Sequence, residues 1–198
     1  MAYAKLLGID KNFFSNEDVA YTLGIRADSA AVLCSRYVKK GLLTRLKRGL
    51  YARTETLASL GQLDLFRLAN LMQVPSYISL MTALSYHGVT TQVQRDVFES
   101  TSIKRTKTFL RGGYTFRYVK VAPGLYTGFK KERDAFIALA EKAILDCFYL
   151  ASMGRYPLDI SALDFNKLDE QVIAKLSNVF PSKTMRYFER HYENIRRS

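Results

Sequence analysis

Three glycines, Gly24, Gly41 and Gly49, punctuate the first fifty residues, and their spacing limits what this stretch can become. Glycine ends helices because it enters the left-handed region without steric cost. Ser15, with Asp18 three residues on, forms a capping box, and Phe14 and Val19 flank it as a hydrophobic staple. A helix is therefore expected from Asn16 to Leu23, stopped at Gly24, with Ile25 turning back to the core. A second helix fits Ala27 to Lys40, ended by Gly41. Leu42 to Leu46 alternates as a strand does, Lys47-Arg48-Gly49 reads as a turn, and Leu50-Tyr51-Ala52 as the returning strand. Helix, turn, helix and hairpin, in that order, make a winged helix-turn-helix.

Placed at about 100° per residue, the second helix divides into two arcs. Ala30, Ala31, Leu33, Cys34, Tyr37 and Val38 share one, which suits packing on the first helix. Ser29, Val32, Ser35, Arg36 and Lys39 share the other, with Lys40 at the border. In a helix-turn-helix the second helix lies in the major groove. Small residues allow close approach to base edges, Arg36 suits guanine, and Lys39 and Lys40 suit phosphates. The expected DNA-reading set is Arg26, Ser29, Val32, Ser35, Arg36, Lys39 and Lys40, flanked by Arg45, Lys47, Arg48 and Arg53 of the hairpin wing.

Beyond residue 58 the pattern changes. Ala58 to Val74 reads as a helix ended by Pro75, and Ser79 to His87 as a short helix closed by Gly88. Strands are expected at Val97–Ser100, Thr108–Arg111, Tyr114–Val119 and Leu125–Phe129, the middle two joined by Gly112-Gly113. Phe136 to Met153 carries the strongest helical periodicity and becomes apolar all round, so it should be buried. Two C-terminal helices fit Lys167–Val179 and Thr184–Ile195. The expected fold is mainly α with α+β. A winged helix-turn-helix domain (1–58) precedes an α+β domain (59–198), which has a small, mostly antiparallel sheet and C-terminal helices.

The charge is strongly positive, +12 over 198 residues, and unevenly spread. Residues 1–58 carry a net of +5, residues 103–133 a net of +8, and the remainder is slightly acidic. Such an excess favours a polyanionic partner. The second patch is Lys104, Arg105, Lys107, Arg111, Arg117, Lys120, Lys130, Lys131 and Arg133, with Glu132 its one acidic residue. It is expected to extend a DNA footprint or bind RNA, or else to be a solvated sheet face; strand alternation separates some of its members.

Enzyme chemistry has little to stand on. The two histidines, His87 and His191, show no zinc spacing, and no nucleophile elbow or phosphate-binding glycine loop occurs. Glu141 and Asp146, five apart on one helix, do not share a face well and read as structural. No catalytic residue, metal or cofactor is expected. Cys34 and Cys147 sit in apolar stretches and make no disulfide framework. Without a signal peptide or a membrane-length apolar run, a cytoplasmic protein without a membrane partner is expected.

The stretch Lys39-Lys40-Gly41-Leu42-Leu43-Thr44-Arg45-Leu46-Lys47-Arg48-Gly49-Leu50-Tyr51 resembles the winged helix-turn-helix of the AbiEi family of type IV (abortive phage infection) antitoxins. More specific is Tyr77-Ile78-Ser79-Leu80 with Ala83-Leu84-Ser85-Tyr86-His87-Gly88, and a third match is Ala140-Glu141-Lys142-Ala143-Ile144-Leu145-Asp146. Ala140 stands where the family often has proline. The resemblance covers roughly residues 12–150. It implies a repressor that binds inverted repeats in its own promoter, and a C-terminal domain that counters a nucleotidyltransferase-like toxin without stably binding it. The oligomeric state stays open between monomer and dimer. The competing reading is a non-catalytic module whose basic face binds RNA or an acidic protein.

Overall fold

The computed structural model describes residues 2–92 and 95–196. The first segment contains α1 (Ala2–Leu6), β1 (Phe14–Ser15), α2 (Asn16–Leu23), α3 (Ala27–Lys39), β2 (Leu43–Lys47) and β3 (Leu50–Arg53). The capping box forms as its residues dictate. Ser15 N donates to Asp18 Oδ2 at 2.8 Å and Asp18 N to Ser15 Oγ at 3.2 Å, which stabilises α2 by about 1 kcal/mol. Gly24 (φ 65°) and Gly41 (φ 70°) both take left-handed φ, so each stop signal works as glycine chemistry requires. Ile25 differs from expectation, remaining 37% exposed.

Strands β1, β3 and β2 form a three-stranded antiparallel sheet. Its two faces enter two different cores. Phe14, Leu43 and Tyr51 join Leu6, Ile9, Val19, Ala30 and Cys34 under the helices. Phe13, Leu46 and Ala52 instead enter the larger cluster that fills the remainder of the molecule. Burying each large side chain contributes about 1.5–3 kcal/mol, so the wing sheet is held from both sides.

Next come α4 (Thr54–Leu57), α5 (Gln62–Met72), β4 (Tyr77–Ile78), α6 (Leu80–Tyr86), β5 (Val97–Ser102), β6 (Lys107–Arg111) and β7 (Tyr114–Lys120). β8 (Phe129–Glu132), β9 (Ala135–Ala138), α7 (Ala140–Ser152), α8 (Glu170–Ser177) and α9 (Ser182–Arg196) complete the chain. The six-stranded sheet has the order β6-β7-β5-β4-β9-β8. Its β4–β9 and β5–β7 pairings are parallel and the other three antiparallel, so the sheet is larger and more mixed than expected. α7 is buried over most of its length and packs against α6, α8 and α9.

Two expected elements change type. The single helix from Phe136 splits: residues 135–138 form β9, with Ile137 beside Ile78 of β4, and the helix starts only at Ala140. A short apolar run satisfies strand and helix equally well, and the free sheet edge decides. Leu125 ends a 3-10 turn, and strand pairing begins only at Phe129. Gly128 lies between them at φ 74°, where a Cβ would stand 2.9 Å from Lys142 Cγ. The expected helix from Ala58 begins at Gln62.

Candidate nucleic-acid interface

Helix α3 sorts its side chains by burial. Ala30 and Cys34 are fully buried against α2, whereas Ser29, Val32, Ser35, Arg36, Lys39 and Lys40 are exposed, Val32 at 57%. Burial pushes the Cys34 thiol up to about 11, so this cysteine serves as a small apolar filler. Arg26 occupies the position before the helix start without a side-chain cap and lies 3.7 Å from Asp28, both almost fully exposed, so little energy ties them together.

A groove of about 330 Å³ separates α3 from the wing. Asp28, Ala31 and Ser35 of α3 line it together with Asn16 and Glu17 of α2, and Arg45, Arg48 and Gly49 of the wing. A bulge between Arg45 and Lys47 re-aims the strand at this point. Arg45 and Arg48 therefore border the groove beside the exposed face of α3. Gly49 (φ 73°) makes the turn that carries Arg48.

The other two wing residues are engaged elsewhere. Lys47 Nζ donates to the carbonyl of Leu71 at 2.6 Å, at the end of α5. Burial first, and the nearby Lys104 charge second, hold its ammonium below the usual lysine range. Arg53 is half-buried: it donates from Nη1 to Ile9 O and from Nε to Thr56 Oγ1, each at 3.2 Å. It braces the scaffold and does not join the row beside α3.

The second basic patch is divided by sheet topology. Strands β6 and β8 are opposite edges, five spacings or about 24 Å apart. Lys104, Arg105, Lys107 and Arg111 lie at the β6 edge, and Lys130, Lys131 and Arg133 at the β8 end. The β6 edge abuts the wing. Arg111 Nε donates to Leu46 O at 3.2 Å, and Tyr114 Oη to Leu57 O at 3.1 Å. Between wing and edge opens a cleft of about 430 Å³, lined by Lys47, Lys104 and Arg105 with no carboxylate. Arg117 is instead paired with buried Glu99 at 3.3 Å, and Lys131 with Asp134 at 2.7 Å. Lys120 is exposed on β7, where its amide is fixed by Thr106.

Sequence reasoning missed a buried polar cluster. Lys142 and Asp146, both fully buried, pair one helical turn apart. Asp146 Oδ2 also accepts from Tyr77 Oη at 2.9 Å and Ser79 Oγ at 2.8 Å. The Lys142 ammonium lies 4.8 Å from the Phe180 ring. A lysine and an aspartate four apart in an otherwise apolar helix was the available signal. The histidines are structural, His87 Nε2 meeting Ala138 O and His191 Nδ1 meeting Tyr187 O, each at 2.8 Å. Among the described residues no cluster of potential metal ligands occurs, and no helix is long and apolar enough to cross a membrane.

Residues 1–54 match the family model of the AbiEi antitoxin transcriptional regulators. The AbiEi match thus covers α1 to β3 and contains α3, the wing and the groove between them. The fold of the whole chain resembles the crystal structure of the Rv2827c protein from Mycobacterium tuberculosis, with a TM-score of 0.62 at 12% identity. That superposition covers 96% of this chain and 74% of the other, and shows a shared fold. No curated protein matches the sequence.

Proposed function

We propose that the chain is a DNA-binding transcriptional repressor of the AbiEi antitoxin type, which lays α3 in the major groove with the β2–β3 wing beside it. The observation that carries this reading is the uncovered outer face of α3. Its small residues lie toward the N-terminal end and its cations toward the C-terminal end, with Arg45 and Arg48 across the groove. Small residues admit the helix to base edges, Arg36 suits a bidentate contact to guanine, and Lys39 and Lys40 neutralise phosphate. Asp28, also on the groove, would repel phosphate and accept from a cytosine amino group. The DNA-reading unit is residues 1–58, and residues 59–198 form the antitoxin-type unit. Lys104 and Arg105 at the β6 edge lengthen the contact along the duplex backbone.

The AbiEi match of residues 1–54 supports a regulator of antitoxin type. The setting we propose for it is repression of its own operon through inverted repeats and antagonism of a nucleotidyltransferase-like toxin without a stable complex. Duplexes selected by the full chain from a randomised 40-base-pair pool test the DNA reading. About six phosphate contacts give a log–log salt slope near −5. Arg36→Ala should lose about 1–3 kcal/mol on the selected sequence and relax specificity. Selection of single-stranded RNA over every duplex would favour the competing module reading.

A further inference from the structure

Sharing Val74 with the cationic cleft is a second cavity, of about 420 Å³. Its wall is mainly apolar: Leu71, Val74, Pro75, Tyr126 and Phe136, with Arg67 and Asp134 beside them. Val74 is 55% and Phe136 39% exposed, so apolar surface faces an open mouth. The aromatic wall continues inward. Phe136 meets Phe129 edge-on at 5.9 Å, Phe129 stacks on Tyr77 at 4.6 Å, and Tyr126 meets Phe129 at 4.8 Å. A planar ring entering the mouth would extend this series. The charges differ in their commitments. Asp134 is bound by Lys131 at 2.7 Å and also feels the charge of half-buried Arg67, which makes no hydrogen bond or close ion pair among the described residues. Lys131, outside the lining, offsets Asp134, and the Arg67 guanidinium keeps its donors for a ligand.

We propose that this cavity is a binding site for a small planar organic anion, its ring against Phe136 and Tyr126 and its acid group on Arg67. Size, apolar lining and one directing charge are the features of a small-molecule site. Leu71 belongs to its wall, and the Leu71 carbonyl is the acceptor that holds Lys47 of the wing. The ligand thus sits beside the residue whose carbonyl anchors the wing.

Calorimetric titration of the full chain with 2-naphthoate, and with neutral 2-naphthol, tests the site without DNA, so its outcome is independent of the DNA reading. One naphthoate site is expected, at least tenfold tighter than for naphthol. Arg67→Met should abolish that preference with an unchanged melting temperature. Phe136→Glu, a surface change, should weaken naphthoate at least tenfold. Equal affinity for the two probes, no binding, or wild-type naphthoate affinity in Arg67→Met overturns the proposal. So does a dimer in sedimentation equilibrium that Phe136→Glu dissolves, since the cavity would then be an interface between copies.

Discussion

Removing one charge from the buried Lys142–Asp146 pair should destabilise the fold more than removing both. Asp146→Asn keeps an oxygen acceptor for Tyr77 and Ser79 but leaves the Lys142 ammonium fully buried without a counter-ion. Breaking a buried pair from one side costs about 3–5 kcal/mol, a large share of a total of about 5–15 kcal/mol. The Phe180 and Tyr77 rings, 4.8 and 5.5 Å from the ammonium, offset part of this. With an m-value of about 2 kcal/mol per molar, a 3 kcal/mol loss lowers the urea midpoint by about 1.5 M. Lys142→Met strands the other charge in the same way and should cost a similar amount. The double variant carries neither charge, keeps the hydroxyl acceptor, and should lie within about 1.5 kcal/mol of the parent. Urea unfolding followed by circular dichroism reads all four chains. A double variant as weak as the sum of the two single variants would refute the coupled pair.

Two further predictions concern the same half of the molecule. Burial pushes the Glu99 carboxyl above its ordinary range, against the pull of Tyr156 and Arg117. Its stabilising contribution is therefore complete below about pH 4.3 and is lost as pH rises through the raised folded value. Glu99→Gln should gain on the parent from pH 4 to 7, and a constant difference in urea midpoint would count against it. Gly128→Ala places a Cβ 2.9 Å from Lys142 Cγ at φ 74°, which should cost about 1–3 kcal/mol. A melting temperature within 1 °C or so of the parent would show that the site relaxes freely.

Local signals carried the winged helix because its determinants are local. Ser15, Asp18, Gly24 and Gly41 each act within four residues, and α2 has the expected bounds. The wheel on α3 separated Cys34 from Ser35 because helix geometry alone decides which side each takes. What escaped was set by distant partners. Residues 135–138 are a strand because Ile78, nearly sixty residues earlier, offers a neighbour. The basic patch looked continuous in sequence, yet β6 and β8 are opposite sheet edges. Likewise, nothing near Lys47 or Arg53 announces that Leu71 O and Ile9 O would claim their side chains.

The claim on which the rest depends is that α3 reads base edges in the major groove. Dimethyl sulfate protection measures it directly, because the reagent methylates guanine N7, the atom that an arginine in that groove covers. The full chain bound to its selected duplex should protect one or more guanines at the centre of each half-site. Arg36→Ala should restore methylation there, whereas Lys130→Ala, at the opposite sheet edge, should leave the protection intact. Guanine reactivity unchanged by the protein, or protection that survives Arg36→Ala, would contradict the account.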